Sequence, residues 1–454
     1  MLALRFLNPW VDAGEPLCPI DPRTPQASNS PVPRWSRHQG YPVDDRVARH
    51  EARDANAMTE QDCCIVGAGP AGLMLGLLLA RAGVRATVIE KHGDFLRDFR
   101  GDTIHPSTLE VMDELGFLNE FLQLPHQKAP TLHAEIGGRT RTIADFSRLP
   151  TRCKYIAFMP QWDFLDFLAR KAQAFPGFRL EMGCEAVGLI ERAEGVAGVV
   201  ARDGEGNERR FEAALVVGAD GRQSMVRKAA ELPVEDLGSS VDVLWMKLTR
   251  HKDDPALAMG HAGPNQGLVM IDRGEYWQLG YVIAKGGFRQ TKQEGMAALR
   301  ARLASVAPLP AKRFDELTGW DQVHLLKVRM DRLRQWWKPG LLCIGDAAHA
   351  MSPIGGVGVN LAIQDAVAAA NILAAPLREG TFGVEHLRAV QDRRSFPTKA
   401  TQKVQLMMRR RRRGGGRPSA KPPAFIRLIA RSRLLPHLTG RLIGMGFRPE
   451  RVRV

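Results

Sequence analysis

Cys64-Ile65-Val66-Gly67-Ala68-Gly69-Pro70-Ala71-Gly72, with Glu90 following, is the stretch that decides the fold. An apolar strand runs into three glycines spaced G-x-G-x-x-G. A helix opens there, and a second strand, Ala86-Thr87-Val88-Ile89-Glu90, ends on an acid. In this arrangement the first glycine permits a tight turn and the second lets the backbone approach a pyrophosphate. The third lets helix and strand pack closely. The pyrophosphate of a dinucleotide then sits at the helix N-terminus, where free N–H groups and the helix dipole favour anions. Glu90 stands about 20 residues past the motif, where a carboxylate can accept hydrogen bonds from a ribose. The competing reading is a βαβ unit that binds no nucleotide. Against it stand a buried-strand pattern before the glycines, Cys63 to Val66, and a helix after them, Leu73 to Gly83, with the glycine as its stop. The motif alone does not choose between FAD and NAD(P).

The chain has 454 residues, 44% of them apolar, which is enough for two or three domains around a large core. No run of apolar residues reaches the length of a spanning helix. The six cysteines show no C-x-x-C and no metal spacing, as expected of a reducing compartment without structural zinc. The net charge of +15 is unevenly held. Residues 409–454 carry fourteen Lys/Arg and one acid, or +13, and residues 1–57 balance at zero, which leaves +2 for the body. The basic balance is thus a property of the tail, and nucleic-acid binding by the folded part is not expected.

Residues 1–57, rich in Pro, Ser, Arg and Asp, read as a disordered extension. Met58, just ahead of the first strand, is the expected start of translation. Helices are expected over 107–116, 161–174, 291–306 and 358–375. A hairpin is expected over 131–147, with its turn at Gly137-Gly138. Strands are expected at 186–191, 196–202, 214–221 with a glycine/acid end, 242–248, 267–271, 276–283 and 340–346 with an acid at its end. The fold class that follows is α/β. A three-layer, Rossmann-like nucleotide domain (58–238 and 338–400) is interleaved with a smaller α+β domain (239–337, with the 131–147 hairpin). Residues 401–454 form a basic tail. Its run Arg409–Arg413 reads as a solvated charge cluster. The apolar stretches with interleaved arginine beyond it, 424–431 and 434–447, can lie on an anionic membrane surface or dock on the protein body.

In an open parallel sheet, ligands bind beyond the carboxyl ends of the strands. Three strands here end in glycine/acid clusters: Gly67 to Gly72, Gly218-Ala219-Asp220-Gly221-Arg222-Gln223-Ser224, and Gly345-Asp346-Ala347-Ala348-His349. The last continues through Pro353-Ile354-Gly355-Gly356-Val357-Gly358-Val359-Asn360 into Ile363-Gln364-Asp365-Ala366. In order and separation, over roughly residues 60–400, the chain resembles the flavoprotein aromatic hydroxylases, the group that includes para-hydroxybenzoate hydroxylase.

The resemblance implies FAD as cofactor, held by Gly67, Ala68, Gly69, Pro70, Ala71 and Gly72, with Glu90 on the adenosine ribose. Arg100 would reach the phosphate and ribose region, and Gln161 would lie near the pyrophosphate. Asp220 is linked to both FAD and NAD(P)H, and Asp346 to the ribityl chain or pyrophosphate. Gly355, Gly358, Val359 and Asn360 belong to the turn that would offer backbone N–H groups to the flavin ring. NADH or NADPH is implied as co-substrate. The implied reaction is monooxygenation: reduced flavin takes up O₂ as a hydroperoxide, and one oxygen atom passes to an organic, aromatic substrate. The flavin carries this chemistry, so no side chain is assigned catalysis. His349 and Pro353 are the nearest candidates, His349 reading either as a general base or as support for its motif. Asp365 reads as helix support, Trp336-Trp337 as a plug at a domain junction, and Asp220 also as a helix cap. At most one or two of Tyr276, Trp277 and Tyr281 can face a substrate, because side chains on a strand alternate. His105 has no assigned role. A small-molecule substrate and O₂ are the expected partners, in the cytoplasm, with peripheral membrane contact through the tail as an addition. A reductase, dehydrogenase or halogenase of the same fold is the alternative within enzymes, although the W-x-W-x-I-P signature of halogenases is absent. A membrane-surface flavoprotein acting on a quinone or lipid-like substrate is a further one.

Overall fold

The computed structural model describes residues 61–96, 103–135, 140–254, 259–263, 266–410, 432 and 434–454. All belong to one compact unit, Met58–Val454. The extension 1–57, Met58, Arg100, the Gly137-Gly138 turn and residues 411–431 lie outside the described residues.

Gln61–Val66, the strand of the opening motif, lies in the middle of an eight-stranded sheet. The main path runs Trp337–Lys338, Leu341–Cys343, Glu208–Gly218, Gln61–Val66, Ala86–Glu90, Phe178–Met182. Five of these six strands are parallel. Helix α1 (Pro70–Arg81) returns the chain from the first strand to the second, with Pro70 in its first turn and ten of its twelve residues buried. A proline is tolerated there because its missing N–H would have no partner in any case. Leu73, Leu75, Leu77, Leu78 and Leu79 are fully buried, and each contributes about 1.5–3 kcal/mol by leaving water. Helices α2 (Pro106–Glu114) and α3 (Gln161–Gln173) follow.

The second sheet has seven strands in the order His324–Leu326, Val241–Thr249, Tyr276–Ala284, Gln266–Asp272, Met259–Gly263, Thr131–Glu135, Thr140–Asp145. The chain therefore enters this sheet twice, once through the 131–145 hairpin and once through 241–326. Its pairs are antiparallel except that of Met259–Gly263 with Thr131–Glu135. One face carries Leu244, Met246, Leu248, Trp277, Leu279 and Tyr281 into a core of its own. That core is closed by α4 (Phe288–Glu294) and α5 (Met296–Ala304). These two helices replace the single helix expected over 291–306. Gly295, at φ +90°, ends one and starts the other, a conformation that only glycine adopts without strain.

Two long helices complete the unit. Helix α6 (Val357–Glu379) is the small-residue helix expected from sequence, extended at both ends. With the turn before it, it is the one helix among the described residues long and apolar enough to cross a bilayer, and 72% of its apolar 18-residue stretch is buried, as in a core helix. Helix α7 (Val384–Arg410) was not expected, because it is polar along its length and shows no apolar stripe. Past residue 431, helix α8 (Leu435–Met445) lies on the protein body.

Candidate active site

The three glycine/acid clusters stand side by side. Val66 pairs with Gly218 and Gly218 with Cys343, so the carboxyl ends of the three strands form one edge. The ladder continues past the strands: Ala219 N–H donates to Val66 O at 2.8 Å, and Ile344 N–H to Gly218 O at 2.9 Å.

The glycines of the first cluster differ in what surrounds them. Gly67 has φ +102°, and a Cβ there would stand 2.7 Å from the Ala219 carbonyl oxygen. A Cβ on Gly72 would stand 1.9 Å from the Gly67 carbonyl oxygen, inside the strand–helix contact. A Cβ on Gly69 would meet nothing within 4 Å, so the middle glycine faces open space at the start of α1. Ala68 N–H donates to Glu90 Oε2 at 2.9 Å, and His92 N–H to Glu90 Oε1 at 3.1 Å. Buried Glu90 thus ties the end of the second strand to the glycine loop.

In the second cluster, Asp220 Oδ2 accepts from Val226 N–H at 3.1 Å, while Oδ1 is buried without a hydrogen-bond partner among the described residues. Burial raises the Asp220 carboxyl above its ordinary range. Arg222 Nε donates to Asp346 Oδ2 at 2.8 Å and so ties the second cluster to the third. Its Nη1 is also buried without a partner among the described residues. An unpaired acceptor, an unpaired cationic donor and open space at Gly69 on one edge match the hydroxyls and diphosphate of a dinucleotide. Buried polar groups are ordinarily paired, so these two call for a ligand or ordered water. Arg222 lies within a quoted motif, but nothing local in sequence distinguishes its role.

The third cluster enters α6 through a turn at Pro353, with Gly355 at φ +81° and Gly356 at φ +63°. Thr103 Oγ1 donates to Gly356 O at 3.0 Å. Gly358 and Val359 are half-buried in the first turn of α6, which carries no acid, so the positive end of the helix dipole is uncompensated. Asn360 points inward: its Oδ1 accepts from Ser107 Oγ at 2.6 Å and Thr108 Oγ1 at 2.9 Å. Gln161 is the first residue of α3 and half-buried.

His349 is 1% exposed, with Nε2 2.6 Å from Asp365 Oδ2 and its ring 5.0 Å from that of buried Trp336. Asp365 is fully buried and also accepts from Gly345 N–H at 3.0 Å and Arg394 Nε at 2.9 Å. Burial alone would raise Asp365, but His349 and Arg394 hold it below the usual carboxylate range. Helix α7 supports the same loop. Gln402 Nε2 donates to the carbonyls of Asp331 and Ala350, and Gln405 Nε2 to those of Ser352 and Ile354. Arg394, Gln402 and Gln405 were not singled out from the sequence, since single polar residues on a polar helix carry no pattern. Trp277 and Tyr281 pack in the core of the seven-stranded sheet, and Tyr276 is half-buried beside Lys247.

Residues 60–404 match the model of the FAD binding domain family. The 6-methylpretetramide 4-monooxygenase of Streptomyces rimosus is 36% identical over 364 residues, covering 79% of this chain and 86% of that protein. A rifampicin monooxygenase of Streptomyces venezuelae is 31% identical over 317 residues, covering 67% of this chain but only 62% of its own length. Among solved structures, PqsL of Pseudomonas aeruginosa superposes with a TM-score of 0.64 at 22% identity, over 75% of this chain and 93% of its own, which bears on the fold. The match over most of the chain, with the strand-end geometry, shows that the protein belongs to the FAD binding domain family and is an FAD-dependent oxidoreductase of the flavoprotein monooxygenase group.

Proposed function

We propose that the chain uses NADH or NADPH and O₂ to hydroxylate a polycyclic aromatic substrate, with FAD held along the edge made by the three strand ends. The observation that carries this reading is the alignment of those ends on one edge, where Gly69 faces open space and Asp220 Oδ1 and Arg222 Nη1 have no hydrogen-bond partner among the described residues. The substrate class rests on the likeness to the 6-methylpretetramide 4-monooxygenase. The redox chemistry is the cofactor's: two electrons from the nicotinamide are spent on O₂, one oxygen atom of which enters the substrate while the other leaves as water.

The protein's own residues bind, orient and exclude water. Gly67 to Gly72 and the start of α1 would hold the diphosphate, with Gln161 near it, Glu90 the adenosine ribose, and Asp346 the ribityl chain or the diphosphate, with Asp220 beside the FAD and the nicotinamide donor. The turn 355–360 would offer N–H groups to the ring. His349 lies behind this edge, bound to Asp365, where it holds the loop rather than moving a substrate proton. Pro353 shapes the entry to α6.

In the same reading, 58–238 and 338–400 form the FAD domain, and 239–337 with the 131–147 hairpin forms the substrate domain. The face of the seven-stranded sheet opposite its own core would wall the substrate. There Trp245 lies over Gly280, where a Cβ would come within 2.9 Å of the indole ring. Cytoplasmic action fits a nicotinamide donor. Membrane contact through the tail has one supporting observation, the exposed Leu434 and Leu438 near the basic stretch. Co-sedimentation with anionic vesicles tests that contact.

The main test is to purify the full chain, record its flavin spectrum, and screen polycyclic aromatic ketides for stimulated NAD(P)H oxidation under ¹⁸O₂. A product carrying one ¹⁸O atom supports the proposal. Substrate-dependent NAD(P)H consumption with no oxygen in the product supports a reductase or dehydrogenase instead.

A further inference from the structure

The C-terminal segment does not behave as a free basic tail. Helix α8 lies on the Thr140–Asp145 strand so closely that a Cβ on Gly440 would stand 2.1 Å from the Asp145 carbonyl oxygen. Met445 joins Phe146, Ile156, Phe158 and Ile271 in an apolar cluster that bridges the seven-stranded sheet and the three-stranded sheet around Ile156–Phe158. Ile443 O lies 2.8 Å from Nδ1 of His105, a fully buried residue at the start of α2, so Nδ1 carries the proton.

Beyond α8 the chain runs along α6. A Cβ on Gly446 would stand 3.9 Å from Asn360 Nδ2. Glu450 N–H donates to Gln364 Oε1, and Asn371 exchanges hydrogen bonds with Arg451 O at 2.7 Å and Arg453 N–H at 2.9 Å. Asn360, Gln364 and Asn371 are spaced by four and seven residues and therefore share one face of the helix. Val452 N–H donates to Glu114 Oε2 at 2.8 Å, which ties the segment to α2 as well.

Glu450 is a buried charged anchor, 8% exposed. Its Oε1 accepts from Arg393 Nε at 2.8 Å and faces Arg394 Nη1 at 3.3 Å. Arg394 reaches Asp365, and Asp365 holds the Gly345 amide and His349. One chain of charge-assisted hydrogen bonds thus runs from the C-terminus to the backbone of the third cluster. Such bonds are about twice as strong as neutral ones.

We propose that residues 434–454 are a strap that sets the N-terminal end of α6 and the Gly345–Asp346 loop for FAD, with Glu450 as its positioning residue. The proposal rests on the placement of FAD given above. FAD and the strap would act on the same two elements, so each must strengthen the other by the same factor.

The test uses the full-length protein. Hydrogen exchange is measured over residues 443–452 with and without saturating FAD, and FAD affinity is measured by flavin fluorescence in the wild type and in Glu450→Gln. The expected results are exchange slowed by about fivefold or more on FAD binding, and FAD affinity in the variant weakened by about fivefold or more. The bound-flavin spectrum of the variant should also be altered. Should Glu450→Gln fail to fold, the wild-type exchange measurement decides alone. Exchange indifferent to FAD, in a chain that binds it, overturns the strap and leaves the flavin reading standing. A wild-type chain that binds no FAD overturns both.

Discussion

The front and the back of the crevice are built by different means. At the front, each of the three strand ends carries its own local pattern: an apolar strand, glycines at fixed spacing, an acid. At the back, α7 and the 434–454 segment hold the same loops through side chains far apart in sequence. Arg394 reaches Asp365 across 29 residues, Gln405 reaches Ser352 across 53, and Glu450 reaches Gln364 across 86. A front of this kind is demanded by backbone geometry, so it can be read locally. Support of this kind depends on which distant elements meet, and no spacing rule announces it.

The strongest way to break the comparison is at Gly72. Gly72→Val puts a side chain where even a Cβ would lie 1.9 Å from the Gly67 carbonyl oxygen. Overpacking and backbone displacement at that contact should cost about 3 kcal/mol or more. Urea unfolding of the apo protein measures it. A variant as stable as the wild type would deny the close strand–helix contact.

At the back, Asp365→Asn should cost about 3–5 kcal/mol, the range for breaking a buried charge pair. The cost should depend on pH. Asp365 is held below its ordinary value of 3.8, so its contribution is present above about pH 4–5 and fades as pH falls through the lower, folded value. The gap between wild type and variant in unfolding experiments should therefore close in acid. A gap that stays constant would mean the carboxylate charge is not what matters.

His105 tests the seam between α2 and the strap. Burial drives its pKa down to about 4 from 6.5, against the carbonyls of Ile443 and Gly356, which favour the charged ring. The unfolded chain takes up this proton first, so stability should fall as pH drops from 6.5 towards 4, by about 3 kcal/mol in total. His105→Asn should lose that slope. An unchanged slope in the variant would place the titration elsewhere.

The smallest effect is expected from charge alone. Replacing Arg409–Arg413 with Gln should leave FAD affinity and turnover within about twofold, because none of the residues placed at the cofactor belongs to that run and charges away from a site contribute little. A larger loss would give the basic run a part in the site.

The sequence made the strand ends, α1, α3, α6 and most of both sheets legible, because each has a clean period of its own. It missed the break at Gly295, where a glycine that fits either a helix interior or a helix end turned out to be an end. It missed α7, whose inward side chains are glutamine and arginine rather than leucine. It left open whether the apolar stretch around α8 meets lipid or protein. The fit of Gly440 and Gly444 against Asp145, Phe146 and Leu149, which no pattern within the helix encodes, puts one face of α8 on the protein.

The central claim is that the open face at Gly69 is where FAD lies. FAD titration of apo Gly69→Val, beside its melting temperature, tests it most directly. The prediction is an apo protein within about 1 kcal/mol of the wild type in stability, since a Cβ there meets nothing within 4 Å and only the N-cap preference is lost, with FAD affinity lost by about 100-fold or more, close to 3 kcal/mol. Wild-type FAD affinity in Gly69→Val would contradict it.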